Sequence, residues 1–182
     1  DEVKELEKRI RKLVREIEEH SKEVVKENRR LVEEDLETIK EVLREIKRRI
    51  KKLLELLERG ELRREDVKRV EDELKKLLED SKRHSEDVEK KLKESNDKNE
   101  KKSEEVVREL EDLVREIAER GVEKDVLKTI KDTVEELVER LKRSNERSRE
   151  ETKKLVKRSR EANKRVEDLV RKVVKELREA EK

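Results

Sequence analysis

The sequence contains no cysteine, proline, methionine, tryptophan, tyrosine or phenylalanine, and only two glycines in 182 residues. Without cysteine there is no disulfide framework, no thiolate nucleophile and no sulfur ligand for a metal. No run of about 18 apolar residues is present to form a membrane-spanning helix, and a charged-then-apolar leader is not expected. An excess of one charge sign is also missing: 55 basic and 53 acidic residues leave a net +2. They are interleaved every few positions, so no strong single-sign field arises and nucleic acid is not an expected partner. The chain has no glycine-rich phosphate loop, no nucleophile elbow and no His-Glu-x-x-His pattern, and an enzyme is not expected.

What is present is charge: 59% of the residues are Asp, Glu, Lys or Arg, against 29% apolar. That balance alone would permit disorder. The residues are nevertheless strong helix formers, and periodicity decides the matter. Apolar positions recur every 3.5 to 3.6 residues, as in Val3, Leu6, Ile10, Leu13, Ile17 and again in Leu43, Ile46, Ile50, Leu53, Leu57. A repeat between 3.5 and 3.6 predicts nearly straight to gently left-handed coiled-coil packing. Flanking pairs such as Leu13-Val14, Leu77-Leu78 and Leu169-Val170 widen the stripe so that each helix can meet two neighbours.

Gly60 and Gly121 each close a Glu-Arg-Gly triplet. Glycine just past a helix end takes the left-handed conformation that caps it, and Leu62 and Val122 supply the apolar residue that accompanies such a cap. The expected helices are therefore 2-58, 63-119 and 123-181, with turns at Gly60 and Gly121. Each would be roughly 85 to 90 Å long at 1.5 Å per residue. Turns this short force neighbours antiparallel. The fold class is all-α: a long antiparallel up-down-up three-helix bundle forming a single domain, 1-182.

The middle third of every helix places Ser, Asn, Thr and His on or beside the seam. Setting Leu57 beside Val67 and Ile117 beside Leu127 assigns these residues to levels. His20 and Ser21 fall level with Asn99 and Ser103 of the second helix and with Ser144 and Asn145 of the third. Asn28 falls level with Ser95, Asn96, Ser148 and Thr152. Thr38 falls level with His84, Ser85 and Ser159, and Ser81 lies near Asn163. An enclosed amide or hydroxyl without a partner costs about 1 to 3 kcal/mol, so mutual hydrogen bonding in three polar layers is expected. Such layers penalise slipped registers more than they add stability. Solvation on a polar helix face is the simpler alternative for any one of these residues. A metal or catalytic role for His20 and His84 has little support, since their levels are far apart. The run Lys47-Arg48-Arg49-Ile50-Lys51-Lys52 reads as a solvated helix face, with Ile50 on the seam.

Natural three-helix repeats of the spectrin type share the up-down-up plan, but this sequence lacks their buried aromatic residues. In its restricted alphabet, paired glycine turns and polar mid-helix positions, it resembles de novo designed helical bundles with buried hydrogen-bond networks. The resemblance covers the whole chain and rests on style, not on a motif. It implies a structural scaffold without natural biochemical function, cofactor or required partner, monomeric, soluble and made by recombinant cytoplasmic expression. The alternative it leaves open is a designed interaction module: a helix-accepting cage, a heterodimer half or a homo-oligomer subunit. Such a module would be pH-responsive through His20 and His84 if both were enclosed and neutral, because protonation below about pH 6.5 would then cost stability.

Overall fold

The computed structural model describes residues 2–180. They form three α-helices, α1 (Glu2–Glu58), α2 (Arg64–Glu119) and α3 (Lys124–Ala180), and contain no strand. The protein is a three-helix bundle. The helix end expected at 181 lies outside the described residues.

Both turns follow from local chemistry. At the end of α1 the Glu61 amide donates to the Leu56 carbonyl at 2.9 Å and the Gly60 amide to the Leu57 carbonyl at 3.1 Å. That pair of bonds satisfies carbonyls the helix leaves open, and it requires a left-handed residue at Gly60, which has φ 70. Gly121 is equivalent at φ 75. Beyond the adjoining residues, no atom lies within 4 Å of where a Cβ would sit at either glycine, so substitution meets backbone strain alone. Gly60→Ala is therefore expected to lower unfolding free energy by about 1 to 2 kcal/mol in urea melts. A midpoint equal to that of the parent would contradict the assigned cap.

α2 begins at Arg64 and not at the expected 63, because Arg63 serves as the cap. Its amide donates to the Asp66 carboxylate at 3.2 Å, and its carbonyl accepts from Asp66 and Val67 at 3.1 and 3.3 Å. This is the returning half of a capping box, with the acid also favourably placed at the positive helix end. Glu123 holds the corresponding place before α3, its carbonyl accepting from Leu127 at 2.9 Å.

The chain divides into two compact units, Asp1–Asn28 with Leu92–Lys153, and Arg29–Lys91 with Lys154–Lys182. All three helices contribute to each. The first unit's apolar core contains Ile10, Leu110, Ile130 and Leu141, each at most 1% exposed, with Val14, Val106, Ile117, Val134 and Leu137. The second unit's core contains Ile46 and Leu74, both 0% exposed, with Ile39, Leu53, Val70, Val166 and Val170. Burial of such side chains is worth about 1.5 to 3 kcal/mol each before entropy is counted.

The apolar seam departs from expectation toward both ends of α1. Val14 is enclosed while Leu13 is half-buried, because a repeat drifting from 3.5 toward 3.6 slowly rotates the facing side of the helix. Leu57, expected beside Val67, is 46% exposed, as is Leu54 at 49%. The last turn of α1 is occupied by the cap, and Leu62 from the turn packs against the second core instead.

Candidate functional site

The polar side chains enclosed between the helices are the one local departure from an apolar interior. In the second unit they form a connected chain. Ser81 donates to Asn163 Oδ1 at 2.8 Å, Asn163 Nδ2 donates to Ser85 Oγ at 2.7 Å, and Ser85 donates to Asp35 Oδ2 at 2.7 Å. The other carboxylate oxygen, Asp35 Oδ1, lies 2.6 Å from His84 Nδ1. The path runs from α2 to α3, back to α2 and on to α1. Asp35 is 0% exposed, and a carboxylate so enclosed persists only when its lone pairs are met.

The first unit carries two further levels. Asn28 Nδ2 donates to Asn96 Oδ1 at 3.3 Å, Asn96 Nδ2 to Thr152 Oγ1 at 2.7 Å, and the Thr152 hydroxyl to the Ser148 carbonyl at 2.8 Å. That path again crosses from α1 to α2 to α3. Ser21 and Asn99 exchange bonds of 3.2 and 3.1 Å between α1 and α2. Ser103 donates to Asn145 Oδ1 at 3.3 Å between α2 and α3. The partners run in opposite directions along α1 and α2, from Ser21 with Asn99 to Asn28 with Asn96, as antiparallel neighbours must.

Several expected members lie elsewhere. Thr38, placed on the lowest level, donates to the Glu34 carbonyl of its own helix at 3.1 Å; the carboxylate of Asp35, one turn nearer, meets Ser85 and His84 in its place. His84 borders its layer but is not enclosed, its side chain being 48% exposed. His20 is half-buried and joins no layer, its Nε2 lying 3.4 Å from Lys102 Nζ. Long side chains at flanking positions reach outward to solvent, so neither histidine is enclosed. Ser95 and Ser144 are half-buried. Ser159 is 5% exposed, and its hydroxyl has no partner, nor has Asn28 Oδ1.

Asp35 is not among the expected polar residues, although the sequence carries a signal for it. Ser21, Asn28 and Asp35 stand seven residues apart on one face of α1, and the heptad row identifies it. Its carboxylate was hidden among 53 acidic residues, beside Leu36, which took the seam position.

Ion pairs join the helices outside the core. Arg140 of α3 reaches Glu18 of α1 at 2.9 Å, and Lys82 of α2 reaches Glu167 of α3 at 2.9 Å. Arg149 pairs with Glu100, Arg160 with Glu89, Arg178 with Glu71 and Arg49 with Glu73. The cations are mostly exposed and the acids mostly half-buried, and ion pairs so close to solvent add little stability one by one. Glu71, 8% exposed, differs. Burial of its carboxyl is the largest single influence and pushes the pKa up, but hydrogen bonds and charge from Arg178 and Lys75 outweigh it and leave the pKa below the ordinary value. The hydrogen bond from Lys82 lowers that of Glu167, and the one from Arg48 lowers that of Glu45.

A carboxylate whose folded pKa is depressed contributes stability above its unfolded pKa, near 4.3, and loses it as pH falls through the folded value. Urea midpoints should therefore fall below about pH 4.3. Glu71→Gln should lower the midpoint at pH 7 and make that acid limb shallower; a limb as steep as the parent's would contradict the pairing.

Among the described residues no group of three or more His, Cys, Asp or Glu could hold a metal ion. None of their helices is long and apolar enough to cross a membrane. The fold and its interior define the class: a three-helix bundle with hydrogen-bonded polar side chains inside it. It is similar to a solved structure described as a computationally designed three helix bundle, with a TM-score of 0.61 and 19% identity over 98% of this chain and 88% of that one. At that identity the likeness establishes the fold. No protein-family model and no curated protein sequence matches the chain.

Proposed function

We propose that this chain is a designed structural scaffold without natural catalytic activity, whose interior polar layers specify helix register. The observation that carries the proposal is the path Ser81, Asn163, Ser85, Asp35, which joins side chains of all three helices through bonds of 2.7 to 2.8 Å. An apolar seam with a repeat near 3.5 tolerates a slip of one heptad, since Leu, Ile and Val replace one another at modest cost. The polar row does not. Along α1 it reads Ser21, Asn28, Asp35, Val42, so a heptad slip would set Asp35 opposite Asn96 and Val42 opposite Ser85. Each stranded polar group would cost about 1 to 3 kcal/mol, and the carboxylate more. The restricted alphabet and the designed structural neighbour support the designed origin.

A self-contained scaffold has a simple test. Light scattering coupled to size exclusion, across a wide concentration range, should return a mass near 22.1 kDa throughout. A dimer or trimer at all concentrations would move the polar side chains' role to an interface and overturn the proposal.

A further inference from the structure

We propose that the groove between α1 and α3 in the second unit is a docking site for an acidic amphipathic helix. Leu36 and Leu43 line one wall and Ala162 and Leu169 the other, all four half-buried, over a floor of Ile39 and Val166. The groove has a volume of about 750 Å³. On each wall the apolar pair is spaced one heptad, which at 1.5 Å per residue is about 10.5 Å. That spacing accepts the side chains of a helix with a heptad repeat.

Charge selects the occupant. The other crevices of this unit are bridged by cation–anion pairs, Lys82 with Glu167 and Arg160 with Glu89 between α2 and α3, and Arg49 with Glu73 between α1 and α2. The α1/α3 groove carries cations on both rims instead, Lys40 and Lys47 facing Arg158 and Arg165, with Glu161 the single acid among its lining residues. Lys40 pairs along its own helix, with Glu37 at 3.3 Å. An apolar floor between basic shoulders complements a helix with leucine in its seam and glutamate on the flanks. A second copy of this chain is the wrong partner, since a two-fold contact would set these cations against one another. The inference rests on the groove alone and stands or falls separately from the polar layers.

The test uses the full chain and two labelled synthetic peptides of about three heptads. Both carry leucine at the seam; one has glutamate and the other lysine at the flanks. Anisotropy titration at low salt should show the acidic peptide binding at least about tenfold more tightly, with the advantage shrinking as salt rises. Leu43→Glu with Ala162→Glu should abolish binding. Reversing the rims with Lys40→Glu, Lys47→Glu, Arg158→Glu and Arg165→Glu should invert the preference, an outcome that loss of folding cannot imitate. Equal binding of both peptides, absence of binding by either, or an unchanged preference in the reversed variant would overturn the proposal. So would a dimer of the parent chain that Leu43→Glu converts to monomer, which would give the groove to a second copy.

Discussion

Replacing His84 and Ser85 together by alanine is expected to lower unfolding free energy by about 3 kcal/mol or more, because it strands a charge inside the bundle. The Asp35 side chain is 1% exposed, and its two oxygens are met by His84 Nδ1 at 2.6 Å and Ser85 Oγ at 2.7 Å. Removing both partners leaves the carboxylate oxygen beside Ser85 unmet inside the bundle, and the gap left by the His84 ring is the route by which water would enter. Asp35→Leu removes the charge itself and fills the space with apolar atoms, while Ser85 keeps the bond from Asn163. It is expected to cost less than about 1.5 kcal/mol or to stabilise. Urea melts of both variants check the asymmetry. If Asp35→Leu proved the more damaging, the carboxylate would be a net source of stability and not a device that demands its partners.

The second large effect belongs to the apolar cores. Leu74 and Leu110 are each 0% exposed, one in each unit. Leu74→Ala and Leu110→Ala are each expected to lower stability by about 2 to 5 kcal/mol, since lost transfer free energy adds to the cavity left behind. Leu57→Ala should change it by less than about 0.5 kcal/mol, as that side chain is 46% exposed. Chemical denaturation of the three variants distinguishes them. A Leu57→Ala loss matching that of Leu74→Ala would mean that the end of α1 is packed in solution.

Much of this architecture was legible because few local rules compete in the sequence. Two glycines at φ 70 and 75 end two helices, and no proline or β-branched run interrupts any of them. Counting back from those turns sets the levels of Ser21 and Asn99, and of Asn28 and Asn96. What escaped were the rotations and reaches of individual side chains. A level computed to within a helical turn could not separate Asp35 from Thr38, and composition could not single out one carboxylate among 53. Position on the seam also did not say that His84 would lie 48% exposed, since a flanking imidazole can keep one nitrogen on Asp35 while the ring faces water. α2 begins at Arg64 and α3 at Lys124, each one residue past its expected start, because the residue before it is the cap.

The central claim is that polar layers hold the register, and one variant tests it most directly. Ser21, Asn28, Asp35, Ser81, Ser85, Asn96, Asn99, Ser103, Asn145, Thr152 and Asn163 are replaced together by apolar residues of similar size. The chain has no cysteine of its own, so Lys26→Cys on α1 and Lys98→Cys on α2 carry spin labels without interference. Distances between the labels are measured by pulsed electron paramagnetic resonance in the parent and in the variant. The account predicts one narrow distance in the parent. In the variant it predicts several, from helices offset by about 10.5 Å for each heptad of slip, with a urea midpoint equal to or above the parent's. One narrow, unchanged distance in the variant would show that apolar packing and the turns set the register without the polar layers, and would contradict it.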